Sequence, residues 1–293
     1  MDGAFVVDKP AGWTSHDVVN KMRRIARTRR VGHLGTLDPM ATGVLPLVVE
    51  RATRLSQYYV KSDKVYDAVI RFGRATDTFD AEGTPAGEDQ PYTTDVATVD
   101  RMLDSFRGTI LQMPPRISAK KIDGQPAYKL ARKNLEVKLN PVQVTVHSAD
   151  VLECEANKVR VKVHCSAGTY LRVIAHELGQ AAGCGAYLER LVRLRSGDFT
   201  IEQAHTLERL AELAAAERLE EALIPAGQLL PGFPSEVVDM VTEGQIRNGR
   251  DFRVSPFRVT RNSPYVKALG HDGALVCIGE LKLPNLYHPI TVL

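Results

Sequence analysis

Gly32-His33-Leu34-Gly35-Thr36-Leu37-Asp38-Pro39-Met40-Ala41-Thr42-Gly43 places one carboxylate in a short, conformationally restricted loop. Pro39 pushes Asp38 out of the α region toward extended backbone, and Gly35 and Gly43 let the chain turn tightly or run close to a ligand. The plain alternative is a turn in which the Asp38 carboxylate bonds its own backbone. The residues just upstream weigh against it. Lys21, Arg23, Arg24, Arg27, Arg29 and Arg30 crowd together there, a setting that suits a site receiving a polyanion.

Working outward, Ala4 to Val7 reads as a strand ending at Asp8-Lys9-Pro10, and Thr14 or Ser15 offers a helix N-cap with Asp17 in the first turn. Val18, Val19, Met22, Ile25 and Ala26 recur at helical spacing and leave Lys21, Arg23, Arg24 and Arg27 on the polar side. Val65 to Phe72 alternates as a half-buried strand with Tyr66, Ala68, Ile70 and Phe72 on one face. An acidic loop follows up to about residue 95, read as mostly solvated. Val99 to Phe106 marks a helix, Lys120-Lys121 beside Gly124 a basic loop, and Val142 to Val146 and Val159 to Cys165 two strands. Thr169 is expected to cap a helix whose apolar stripe excludes Arg172, which then sits unfavourably in the first turn. Residues 206 to 223 read as one helix, Ile224 to Pro234 as a linker, and Arg258 to Thr260, Val266 to Leu269 and Ala274 to Ile278 as strands of a small β module.

With 293 residues, 44% hydrophobic and 25% charged, the chain has the makeup of an ordinary globular protein of one large and one smaller domain. Its net charge of +3 is modest, so nucleic-acid binding requires a local patch. Cys154, Cys165, Cys184 and Cys277 match neither zinc-ligand nor redox spacing, which points to reduced thiols and the cytoplasm. The N-terminus lacks an export signal, and the longest apolar run, Val44 to Val49, is too short for a membrane span. His176-Glu177 begins like a metalloprotease helix, but Gln180 stands where the second histidine belongs, leaving a polar pair on the helix surface. The sequence has no dinucleotide fingerprint, phosphate loop or Gly-x-Ser-x-Gly elbow, so no nucleotide cofactor and no metal is implied.

Five segments taken in order carry more: Asp8-Lys9-Pro10-x-Gly12-x-Thr14-Ser15, the Asp38 loop, Lys64-Val65-Tyr66, Thr76-Asp77-Thr78-x-Asp80-x-x-Gly83, and Cys165-Ser166-x-Gly168-Thr169-Tyr170-x-Arg172. From about residue 4 to 206 the chain resembles the TruB family of transfer-RNA pseudouridine synthases. The last 60 or so residues, with Leu286-Tyr287-His288-Pro289, resemble more loosely a PUA RNA-binding module. One departure is Lys133, where the family usually has glycine.

The resemblance implies an α+β fold, a mixed, mainly antiparallel sheet with flanking helices, plus a small C-terminal β-barrel-like module. Periodicity alone supports only α plus β. The expected division is 1–223 for the catalytic domain, 224–234 for the linker and 235–293 for the PUA-like module. The implied activity is isomerisation of uridine 55 in the TΨC loop of transfer RNA, with base flipping and no cofactor, by a cytoplasmic monomer that binds the T-arm stem-loop. Carried onto this sequence, Asp38 is the essential catalytic carboxylate, Tyr66 packs against the reacting base, and Arg172 pairs with Asp38. His33 stacks in the space the flipped nucleotide vacates, Lys9 and Leu194 line the pocket, and Asp80 supports at most. Two alternatives stay open, a transfer-RNA folding chaperone and an RNA glycosylase.

Overall fold

The computed structural model describes residues 1–115, 140–257 and 263–293, with the backbone of 121–122 and 125–126. The basic loop at Lys120 and Gly124, the Lys133 departure and the strand expected at Arg258 to Thr260 lie outside these residues, Lys121 excepted. The large sheet is built from β1 (Gly3–Lys9), β2 (Val31–His33), β3 (Thr42–Val49), β4 (Lys64–Phe72), β5 (Gly108–Gln112), β6 (Val142–Glu155), β7 (Lys158–Cys165), β8 (Ala186–Ser196), β9 (Phe199–Thr200) and β10 (Ile224–Pro225). Its order is β10-β1-β3-β8-β4-β7-β6-β5, with β2 on β3 and β9 on β8. Every pairing is antiparallel except β3 with β8, where Val192 faces Thr42 and Arg193 faces Gly43. The mixed, mainly antiparallel expectation holds.

Flanking it are helices α1 (Ser15–Ile25), α2 (Val96–Leu103), α3 (Leu171–Ala181) and α4 (Leu207–Ala215). Thr14 caps α1 in a capping box: its hydroxyl accepts from the Asp17 amide at 3.1 Å, and the Asp17 carboxylate accepts from the Thr14 amide at 2.9 Å. Val18, Val19 and Met22 turn inward, so Lys21 and Arg24 are left in solvent. Phe5, Val7, Leu45, Leu47, Tyr66, Ala68 and Ile70 share one core with α1, α3 and α4. Ala4, Val6, Val44 and Val48 point the other way into a second core with Leu229, Leu275, Ile278 and Leu293. Burial on both faces is why β1 and β3 read as continuous apolar runs and not as alternating ones.

The C-terminal residues form a second, five-stranded sheet from β11 (Ser235–Val237), β12 (Phe252–Arg253), β13 (Tyr265–Leu269), β14 (Leu275–Leu283) and β15 (Leu286–Val292), with helix α5 (Met240–Arg247) against it. The stretch 224–234 does not hang free. Ile224 and Pro225 pair with β1, and Ala226, Leu229 and Leu230 are buried.

Two expectations fail. The helix expected over 206 to 223 stops at Ala215, because Glu217 takes a left-handed backbone (φ 58) and the chain folds back to bury Leu219 and Ala222. Thr169 does not cap α3: its hydroxyl donates back to the Ser166 carbonyl at 3.0 Å, and Tyr170 takes the N-cap position, its side chain not capping the helix. Gly43 is a glycine for two reasons, a φ of +94 and a neighbour: a Cβ there would sit 2.4 Å from the Arg193 carbonyl oxygen. Gly43→Ala is expected to destabilise the fold by at least about 1–3 kcal/mol, the cost of a strained residue of this kind. The readout is a lower urea midpoint, and an unchanged midpoint would show that β3 and β8 can separate there without loss.

Candidate active site

The loop bearing Asp38 joins β2 to β3 and is held by side chains from three directions. Ser15, at the start of α1, receives the Leu37 amide on its hydroxyl at 2.9 Å and donates to the Leu37 carbonyl at 3.2 Å. Lys9, at the end of β1 and fully buried, donates to the carbonyls of Pro10 at 2.9 Å and Pro39 at 3.0 Å. From β8 comes Arg193, only 1% exposed, which donates to the carbonyls of Val44 at 2.7 Å, Gly35 at 3.0 Å and Thr36 at 3.2 Å. A guanidinium forks its donors in a plane, so one side chain can hold consecutive carbonyls of a turn.

The Asp38 carboxylate does not bond its own backbone. It accepts a hydrogen bond on Oδ1 from Arg172 Nη2 at 3.2 Å, and its Oδ2 lies 2.8 Å from Arg172 Nε in the same ion pair. Arg172 also lies 3.4 Å from Asp80 Oδ2 through Nη1 and donates to the Thr78 carbonyl at 3.2 Å. Arg172 and Asp80 are both sealed, whereas the Asp38 side chain keeps 33% of its surface open. Asp80 is itself fixed, accepting on Oδ1 from the Thr78 hydroxyl at 2.6 Å and the Glu82 amide at 3.1 Å. Phe79 between them stacks on His176 of α3 with ring centroids 3.9 Å apart, docking this loop on the helix that carries Arg172. The acidic loop is therefore solvated only in part, and Arg172, though off the apolar stripe, is buried. His176 is not a free polar surface residue either.

Charge placement explains the titration of these groups. Burial pushes the Asp38 carboxyl above its ordinary range against the pull of Arg172, with the Asp80 charge adding to the rise and Lys9 opposing it. Burial brings the Lys9 ammonium down to about 8, held up in part by Asp38 and Glu82. Tyr66, 8% exposed on β4, is raised by burial, and the neighbouring Arg193 guanidinium works the other way. Asp38, Lys9, Tyr66, Arg172 and Asp80 thus form one electrostatic group.

Leu194 is the extra residue of a bulge, since β8 sets Arg193 opposite Tyr66 and Arg195 opposite Val65. Arg193, in regular register opposite Tyr66 just before that bulge, points inward, and Leu194 is left half-buried. His33, at the end of β2, stands beside the group: its Nδ1 accepts from the Gly35 amide at 3.4 Å, and burial and Arg193 lower its pKa. Sequence patterning does not single out Arg193. Its signal is an arginine inside the apolar run Leu191-Val192-Arg193-Leu194, two residues after buried Leu191 and so on the same face of the strand.

The family model described as TruB family pseudouridylate synthase (N terminal domain) matches residues 23–171, and that of the tRNA pseudouridylate synthase B C-terminal domain matches residues 172–231. The chain belongs to the TruB family. The tRNA pseudouridine synthase B of Solibacter usitatus (strain Ellin6076) is 57% identical over 293 residues, all of both chains. That of Aquifex aeolicus (strain VF5) is 36% identical over 286 residues, 96% of each. A crystal structure of a Cbf5-Nop10-Gar1 complex contains a chain superimposing with a TM-score of 0.74 at 26% identity, over 98% of this chain and 83% of that one. The two family models meet at Arg172, so the ion pair joins a carboxylate from the first to the opening residue of the second.

Because the Asp38 carboxyl titrates higher folded than unfolded, the unfolded chain releases that proton first as pH rises. This group's contribution to stability therefore falls through the carboxylate range. Asp38→Asn lacks the penalty. Its unfolding free energy relative to the wild type is expected to rise between about pH 3 and pH 7, measured by urea denaturation at both. A flat or falling difference would contradict the buried-carboxylate account.

Proposed function

We propose that this chain isomerises uridine to pseudouridine in transfer RNA, with Asp38 as the catalytic carboxylate and uridine 55 of the TΨC loop as the target. The observation that carries this reading is the partly open Asp38 carboxylate ion-paired to sealed Arg172, in a chain of the TruB family. The reaction breaks the N1–C1′ bond, turns the uracil, forms the C5–C1′ bond and moves a proton from C5 to N1. Nothing is oxidised or lost. Asp38 attacks the sugar or the base, or takes a sugar proton, and each route needs it ionised. Arg172 supplies that bias against burial.

Water reaching the activated sugar would leave an abasic nucleotide, so a dry wall is required. We assign that wall to Tyr66 and Leu194, the Lys9 ammonium to the pocket edge, and His33 to the gap left by the extruded base. Arg193 is a positioning residue that fixes the loop beneath Asp38. We further propose that residues 1–223 are catalytic and 235–293 a PUA-like module for RNA, and that the enzyme binds the T-arm stem-loop as a cytoplasmic monomer. The exposed Lys21, Arg24 and Arg27 supply phosphate contacts along α1 and its end.

On unmodified transfer RNA, the wild type is expected to convert position 55, and Asp38→Ala to lose at least about 10²–10⁴-fold in rate, mapped by chemical detection of pseudouridine. Uridine persisting at 55 with the wild type, or undiminished activity in the variant, overturns the assignment. Free uracil in the supernatant would mark a glycosylase, and RNA refolding by an isomerisation-dead variant would mark a chaperone. Replacing Lys21, Arg24 and Arg27 by alanine is expected to flatten log K against log salt by about 0.7–0.9 for each phosphate that is no longer neutralised. An unchanged slope in an equilibrium binding titration would return these residues to a solvated role.

A further inference from the structure

Asp63, His147 and His164 converge on the face of the large sheet turned away from Tyr66. Strand β7 sets His164 opposite Val65 and Val163 opposite Tyr66, so consecutive pairs point to opposite faces. His147 arrives by a bulge: β6 pairs Val146 with Cys165 and Ser148 with His164, and His147 is the residue left over. Bulges re-aim side chains, and this one lays His147 beside His164 with ring centroids 4.6 Å apart. Asp63 enters from the turn before β4, its carbonyl accepting from the Gly197 amide at 2.9 Å. Its Oδ2 lies 3.2 Å from His147 Nε2 and 3.7 Å from His164 Nε2, and the three donor atoms all fall within 4.8 Å of one another.

We propose that Nε2 of His147, Nε2 of His164 and Oδ2 of Asp63 form a binding site for a divalent transition-metal ion, with zinc the best match. Zinc takes imidazole nitrogen and carboxylate oxygen at about 2.0–2.2 Å, which sets tetrahedral donors roughly 3.3–3.6 Å apart. The two Asp63 separations straddle that edge length. Two imidazoles with one carboxylate favour zinc, copper or nickel over the oxygen-seeking magnesium and calcium. The fourth neighbour here is Arg195, whose Nη2 lies 3.2 Å from His164 Nε2. Arginine can only donate, so that nitrogen already presents its lone pair, and Arg195 swings out when metal takes its place. The Asp63, His147 and His164 side chains are 42%, 38% and 32% exposed, which gives the ion a way in and leaves its fourth position to water. The ion ties the turn before β4 to β6 and β7. It lies across the sheet from Tyr66 and takes no part in the isomerisation.

Zinc titrated into chelator-stripped protein against a chromophoric competitor is expected to bind one ion per chain, and zinc is expected to raise the thermal midpoint. Cobalt(II) in its place is expected to give the visible bands of a low-coordinate nitrogen–oxygen site. His147→Ala and Asp63→Asn are each expected to weaken binding by at least about ten-fold, as the loss of even an outer partner of a metal site does, while circular dichroism and transfer-RNA isomerisation stay as in the wild type. No saturable binding at stoichiometric zinc overturns the proposal. So does equal affinity in both variants, which would place the ion elsewhere, for example at Asp251 and His288.

Discussion

A single buried guanidinium sets the conditions for everything around it. Arg172 has carboxylates from two distant segments on it, Asp38 from the β2–β3 loop and Asp80 from the loop after β4. Sealing a cation from water is costly unless it is paired and hydrogen-bonded, and removing one partner of such a pair costs far more than the pair contributes. The helix carrying Arg172 can therefore dock only when both loops have arrived. Phe79 on His176 and the bonds of Thr78 and Glu82 to Asp80 are the packing that keeps the second carboxylate in place. With two anions on one cation, the more exposed of the two is left incompletely neutralised, and that is Asp38.

Arg193 solves a different problem. Among the described residues it meets no carboxylate; its bonds go to main-chain oxygens of the loop it supports, with the Tyr66 hydroxyl alongside. A carboxylate partner there would neutralise the charge and remove its pull on Tyr66 and the loop, whereas carbonyls satisfy the donors and leave the charge in place. The Asp38 loop is thus held through its main chain by Arg193, Lys9 and Ser15, while its carboxylate is left to meet Arg172.

Much of this was legible in the order of residues. Thr14 and Asp17 announced a capped helix, alternation placed Tyr66 on the inner face of its strand, and the Asp38 loop with Arg172 carried the family likeness that the matches of residues 23–171 and 172–231 bear out. What escaped was non-local. The burial of Asp80 depends on a loop folding onto α3, which no window of its own acidic neighbours reveals. The bulges at Leu194 and His147 shift the side-chain register by one residue, and a period-two rule fails at that point. The early end of α4 came from tertiary packing of Leu219 and Ala222 overriding a run of good helix formers.

The second core has a consequence for how the chain could be shortened. Ala4, Val6, Val44 and Val48 rest on Leu275, Ile278 and Leu293, and the seam is stitched by Tyr59 to the Leu230 amide and by Lys267 to the carbonyls of Gly227 and Leu229. Cutting away the last sixty residues would bare an oily wall on the reverse of the very strands whose ends hold Lys9 and Gly43. The remnant would clump with its own kind before it could serve as a pared-down enzyme.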